Sequence, residues 1–279
     1  MSYSAEISRA NPSCFIFLID QSGSMADTFG SGESKRTKAD SVGDAINRLL
    51  QNLVLKCAKE EGVRDFYHVG VIGYGVRVGS AFSGSLAGRD LVPISEIANM
   101  PARIEERSKK EDDGAGGLID RSIRFPIWFD PVANGGTPMC QALIQARSLV
   151  QGWLAQHPGC FPPIVINITD GEATDGDPNS AAADIRKLSS DDGDVLLFNV
   201  HLSSHPASAI EFPDADAGLP DQFAKLLFQM SSPLPAFMRS IAQQEGYKVS
   251  DGTRGFVFNA DIVAVIKFLD IGTRPTNLR

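Results

Sequence analysis

Two stretches of this chain are too uniformly apolar to face water on either side. Cys14-Phe15-Ile16-Phe17-Leu18-Ile19 runs unbroken into Asp20, and Ile164-Val165-Ile166-Asn167-Ile168-Thr169 ends in the same way at Asp170. An alternating strand hides one face, whereas a continuous apolar run hides both, as central strands of parallel sheets do. Amphipathic helices separate the strands. Val42, Ile46, Leu49/Leu50, Leu53/Val54 and Cys57 recur at helical spacing between Lys38 and about Glu60, with Gly62 as a stop. Leu143, Ala146, Leu149 and Val150 do the same between Pro138 and Trp153. Strands alternating with such helices predict an α/β fold, Rossmann-like and doubly wound, with a mostly parallel central sheet flanked by helices on both faces. In such sheets ligands bind at the carboxyl ends of the strands, near the reversal of strand order. Asp20 and Asp170 therefore belong on one rim.

The remaining pattern fills in the order of elements. Tyr67–Tyr74 alternates into a second strand, and the β-like pieces Val76–Phe82 and Leu86–Val92, separated by Ser83-Gly84-Ser85, suggest a hairpin. From Ser95 to about Phe125 the pattern weakens. A short helix is expected at Arg103–Arg107, followed by a charged and then glycine-rich stretch from Lys109 to Gly117. The segment from about 76 to 131 reads as an irregular insertion, because it carries too few apolar residues for a core of its own. Beyond it, a helix is expected over Asn179–Leu188, a strand over Val195–Val200, and one or two helices over 219–230 and 235–245. A strand at Gly255–Asn259 and a last helix over Asp261–Leu269, with Asp261 as N-cap, complete the chain. Residues 1–279 are drawn as a single domain with its core at about 13–270.

Composition narrows the function classes. With 43% apolar and 22% charged residues the chain has ordinary globular usage, which argues against a disordered, collagen-like or coiled-coil protein. Its 34 acidic against 26 basic residues leave a net charge of −8, so no nucleic-acid partner is expected without a local basic stripe. The two candidate stripes, Arg103–Lys110 and Lys35-Arg36-Thr37-Lys38, read as solvated surface. No apolar run approaches the roughly 18 residues of a spanning helix, so no membrane partner is expected. Met1–Asn11 is polar, without the apolar region of a secretory signal. The four scattered cysteines form no C-x-x-C pair, and a reduced, cytoplasmic protein is expected.

Chemistry concentrates at the rim. Asp20-Gln21-Ser22-Gly23-Ser24 sets a carboxylate and two hydroxyls at alternate positions directly after a strand. One anion with neutral oxygens suits a hard divalent cation, and Mg2+ needs only one or two carboxylates. Taken singly, such a loop is equally an Asx-turn and helix cap. Two further elements strengthen the metal reading. Gly135-Gly136-Thr137-Pro138 opens a helix with Pro138 suited to its first position, and Thr169-Asp170-Gly171-Glu172 closes the second apolar strand.

Together these three motifs, in this order, resemble the metal-ion-dependent adhesion site of the von Willebrand factor type A domain family. The resemblance covers roughly Ser13 to Leu269. It implies one Mg2+ or Mn2+ at the top of the sheet, with Ser22 and Ser24 coordinating directly and Thr137 doing so in the ligand-bound state. Asp20 and Asp170 would act directly or through water. It also implies a non-enzymatic domain whose metal bridges to an Asp or Glu of a protein partner. Thr137 lies 117 residues after Asp20, farther than compact members of the family need, and the excess falls in the 76–131 segment. Cytosolic bacterial members of this kind, as in the tellurite-resistance-associated proteins, are associated with a Ser/Thr kinase and a PP2C-type phosphatase.

Enzyme readings find less support. A haloacid-dehalogenase phosphatase also opens on a strand-terminal aspartate but needs a second acid two residues on, where this chain has Ser22. Gly73-Tyr74-Gly75 and Gly114-Ala115-Gly116-Gly117 lack the Lys-Ser/Thr of a phosphate loop, and no G-x-S-x-G elbow occurs. His201-x-x-x-His205 precedes Pro206 and so is not presented on one helix face, and Asp175-Gly176-Asp177 reads as a solvated acidic loop. A metal-assisted phosphohydrolase at the same metal site, with Glu172 as general base, is the alternative. A structural subunit with a vestigial site is a third reading.

Overall fold

The computed structural model describes residues 3–29, 36–112, 118–203 and 208–259. Its first apolar run is β1 (Ser13–Asp20), buried along its whole length. Helix α1 (Lys38–Cys57) follows, opened by a capping box in which the Thr37 hydroxyl accepts from the Asp40 amide. Next come β2 (Tyr67–Tyr74), β3 (Val78–Ser80), β4 (Val92–Pro93) and helix α2 (Ile94–Asn99). A long pair, β5 (Arg103–Asp112) and β6 (Leu118–Ile127), leads to helix α3 (Met139–Gln156) and the second apolar run, β7 (Ile164–Thr169). The chain continues with α4 (Asn179–Arg186), β8 (Leu196–His201), β9 (Ile210–Glu211), α5 (Gln222–Met230), α6 (Ala236–Gln244) and β10 (Phe256–Phe258).

The main sheet has the order β9-β10-β8-β7-β1-β2-β3, with β4 also paired to β2. The five strands β10, β8, β7, β1 and β2 run parallel, and β9, β3 and β4 are antiparallel additions. This is the mostly parallel, doubly wound α/β architecture that the sequence predicts. Each face of β1 feeds a separate core. Phe15, Phe17 and Ile19 join α1, α2 and α6 on one side, whereas Cys14, Ile16 and Leu18 join α3, α4 and α5 on the other. From β1 the chain order steps to β2 on one flank and to β7 on the other, so the strand order reverses between β1 and β7. The carboxyl ends of those two strands are Asp20 and Thr169, followed by Asp170.

Several local expectations are corrected. Arg103–Arg107 is strand, not helix: β5 pairs antiparallel with β6 in a two-stranded ribbon. The period-2 set Arg103, Glu105 and Arg107 explains it, since Arg103 and Arg107 both reach Glu105 along one face. The pieces around Val76–Phe82 and Leu86–Val92 do not pair with each other. Instead, β3 joins β2 at Ile72–Tyr74 and β4 joins it at His68–Val69. Helix α1 ends at Cys57 rather than near Glu60, because Ala58–Lys59 turns into a short antiparallel bridge with Gly62–Val63. Helix α4 ends at Arg186, two residues before Leu188. The helix expected at Asp261–Leu269, the Gly114 run and His205 lie outside the described residues. Among those described, no helix is long and apolar enough to cross a membrane.

Candidate metal centre

Where β1 ends, the backbone passes into a 3-10 turn over Gly23–Ala26 and folds back over its own aspartate. Asp20 Oδ1 accepts the Ser22 amide at 2.8 Å, and Oδ2 accepts the Thr169 hydroxyl of neighbouring β7 at 2.6 Å. The Ser22 and Ser24 hydroxyls lie 3.0 Å apart and share a hydrogen bond. Ser24 Oγ then donates to Asp170 Oδ1 at 2.8 Å. Asp20, Ser22, Ser24 and Asp170 thus meet across the crevice between β1 and β7. Asp20 is 1% exposed. Its burial pushes the carboxyl above the usual carboxylate range, hydrogen bonds from Ser22 and Thr169 pull it back, and the charge of Asp170 adds to the rise.

The threonine loop is stitched to the serine loop through backbone. The Asn134 amide donates to the Gln21 carbonyl at 2.6 Å, and the Gly23 amide to the Gly135 carbonyl at 3.0 Å. Gly135 has φ +91, and a Cβ there would stand 2.6 Å from the Val76 nitrogen. Only glycine permits this approach. Thr137 is 6% exposed on the same rim. Its amide donates to Thr174 Oγ1 at 2.9 Å and its carbonyl accepts the Thr174 amide at 2.9 Å. Its backbone is therefore pinned to Thr174, while Ser22, Ser24 and Asp170 are joined through their side chains and Asp20 through the Ser22 amide.

The donor set fits a hard cation. Among the described residues no group of three or more His, Cys, Asp or Glu side chains could hold a metal, so a centre here rests on two carboxylates supplemented by hydroxyls. All of these donors are oxygen, the ligand type that Mg2+ and Mn2+ prefer. Charge points the same way. Among the described residues Asp20 is a buried carboxylate whose hydrogen bonds come from a hydroxyl and an amide, with no cationic side chain upon it. An uncompensated buried carboxylate is costly unless protonated or neutralised by a cation.

Lys38 corrects an expectation. Far from being solvated, its side chain is 2% exposed and its Nζ stands 2.8 Å from Asp170 Oδ2. Arg103 and Arg107 are likewise neutralised, by Asp130, Glu105 and Asp44. Asp175 is more than a loop charge, since it caps α3 by accepting the Cys140 and Gln141 amides at 3.0 and 2.9 Å. Beneath the rim, Tyr74 donates to Asn167 at 2.7 Å, Asn167 to Asn199 at 3.0 Å, and Asn199 to Ser231 at 2.9 Å. Of these buried polar residues, Asn167 and Asn199 each stand as a polar break in an apolar run, at 164–168 and 195–200. Glu172 is exposed. His201 is the last residue of β8, one beyond the strand expected over Val195–Val200, and burial lowers its imidazole below the usual range.

No family model matches the chain, and no curated protein matches it. Among solved structures, a von Willebrand factor type A protein from Catenulispora acidiphila superposes with a TM-score of 0.47 at 16% identity, over 95% of this chain and 43% of that one. Three N-terminal domains of the type V pili tip protein Mfa5 from Porphyromonas gingivalis give 0.30 at 17% identity, over 58% of this chain and 20% of theirs. The pilus adhesin RrgA from Streptococcus pneumoniae gives 0.32 at 15% identity, over 61% and 21%. The chain spans less than half the length of each.

Proposed function

We propose that this chain is a metal-dependent protein-binding domain of the von Willebrand factor type A kind, non-enzymatic and cytoplasmic. Asp20, Ser22, Ser24, Thr137 and Asp170 would hold Mg2+ or Mn2+. When bound, the cation would act as a Lewis acid that takes the carboxylate of an Asp or Glu from a protein partner. The observation that carries this reading is the meeting of two buried carboxylates and two serine hydroxyls at the strand-order reversal, with no cationic side chain on Asp20 among the described residues. The Gly135–Thr137 segment, stitched to the serine loop by backbone alone, leaves the Thr137 hydroxyl as the adaptable member of the set. All four cysteines are free thiols, which fits a reducing compartment. On the sequence resemblance alone, a Ser/Thr kinase or a PP2C-type phosphatase is the partner class to test first. The phosphohydrolase alternative has weaker support, because its base Glu172 is an exposed side chain with no described contact to the cluster.

Calorimetric titration of Mg2+ and Mn2+ into the chain and into Asp20→Ala tests the site. Binding is expected in the first and lost in the second, and equal affinity in both would sink the assignment. Pull-down from the native host with and without EDTA then tests metal bridging. With a partner in hand, Thr137→Ala is expected to weaken partner binding more than metal binding, and Ser22→Ala to weaken both. Equal losses throughout would mean a rigid site.

A further inference from the structure

Lys38 is placed against two physical preferences. It stands in the first turn of α1, where the aligned peptide dipoles disfavour a cation. Its side chain is also 2% exposed, and burying an ammonium requires specific compensation. That compensation comes from Asp170 Oδ2 at 2.8 Å and, less closely, from Asp27 Oδ2 at 3.6 Å. Asp170 is itself 3% exposed at its side chain and has its other oxygen on Ser24. One carboxylate is therefore divided between a tethered ammonium and the serine loop. Asp20, on the other side of the crevice, takes only neutral donors.

Among the buried side chains, Asp20, Asp170 and Lys38 sum to one negative charge. Asp27 is 58% exposed, so water screens its charge. A divalent cation would therefore leave the buried site with one positive charge. Without Lys38 the same loading would reach neutrality. A net positive site attracts an anion more strongly than a neutral one does, and the ammonium repels an incoming metal. We propose that Lys38 is a specificity-determining residue of this centre: a built-in second cation that weakens binding of the bare metal and strengthens binding of a carboxylate to the loaded site. This inference rests on the metal reading above.

The test uses the full chain and two variants, Lys38→Met, which keeps the length of the side chain without its charge, and Lys38→Arg, which keeps the charge. Mg2+ is titrated calorimetrically into each. Acetate, as the smallest carboxylate probe, is then titrated into the Mg2+-saturated proteins and followed by NMR. Lys38→Met is expected to bind Mg2+ roughly tenfold tighter or more, to gain more in melting temperature from Mg2+, and to bind acetate several-fold more weakly. Lys38→Arg is expected to follow the unaltered chain in both titrations. Equal Mg2+ affinity in the chain and in Lys38→Met overturns this inference and leaves the metal centre standing. Tighter Mg2+ with unchanged acetate binding also overturns it, since the ammonium would then have no part in ligand choice. Absence of Mg2+ binding in all three proteins overturns both this inference and the metal reading.

Discussion

Asn47 joins the 76–131 segment to the body of the fold, and removing its amide should have a large and measurable effect. It lies in α1 at 2% exposure. Its Nδ2 donates to the Phe129 carbonyl at 2.8 Å and to the Gly43 carbonyl at 2.9 Å. Its Oδ1 accepts the Trp128 amide at 2.8 Å and the Phe129 amide at 3.1 Å. Trp128 and Phe129 are themselves 2% and 1% exposed, so water does not stand ready to replace the amide. Asn47→Leu keeps the volume but strips four backbone groups of this partner, three of them, the Trp128 and Phe129 amides and the Phe129 carbonyl, outside its own helix. Each orphaned buried group costs about 1–3 kcal/mol, and partial relaxation lowers the sum. A loss of about 3–5 kcal/mol is expected, a large share of the roughly 5–15 kcal/mol that holds a domain of ordinary stability. Urea unfolding followed by tryptophan fluorescence and far-ultraviolet circular dichroism reads this directly, with Trp128 as a local reporter. A loss below about 1 kcal/mol with an unchanged urea slope would refute the reasoning, because the amide would then be dispensable to the groups it faces.

Two further outcomes test the threonine loop and three imidazoles, His201 buried and His68 and His157 half-buried. Gly135→Ala places a Cβ 2.6 Å from the Val76 nitrogen at φ +91, so it should lower the melting temperature by several degrees, about 1 kcal/mol or more of backbone strain. A melting temperature unchanged in thermal denaturation would mean that the loop relaxes freely. Burial holds the His68, His157 and His201 imidazoles below their usual range, so their folded pKa values lie under the unfolded ones. The stability they contribute is complete above pH about 6.5 and falls away as the pH drops through that value toward the folded ones. The metal-free urea midpoint should therefore fall between pH about 7.5 and 5.5, and a flat or rising midpoint would contradict it. Asp20, raised by burial, acts in the opposite sense at lower pH.

Much of the architecture was legible because its signals are local. The runs at Cys14–Ile19 and Ile164–Thr169 name themselves as strands covered on both faces, and they occupy neighbouring central positions in the sheet. The helical spacing that begins at Lys38 and at Pro138 became α1 and α3, displaced by only a few residues at their ends. Asp20, Ser22, Ser24 and Asp170 could be gathered from the sequence because Asp20 ends one apolar strand, Asp170 directly follows another, and the serines follow Asp20 at short intervals.

What the sequence could not carry was the identity of partners far along the chain. Lys38 follows Lys35 and Arg36 in a run that reads as solvated, and only the tertiary fold brings its ammonium to Asp170, a carboxylate 132 positions away. Asn47 looks like any polar residue on a helix until the return from the ribbon lays two amides and a carbonyl against it, some 80 residues later. At Arg103–Arg107 the charges fall on both faces, so β5 has no apolar period to announce it, whereas its partner β6 alternates at Ile123, Phe125 and Ile127. Residue type and spacing determined which elements form and which oxygens gather at the rim. Tertiary structure alone decided which charges are left facing one another there, because the energy of a buried charge depends on neighbours that chain order does not specify.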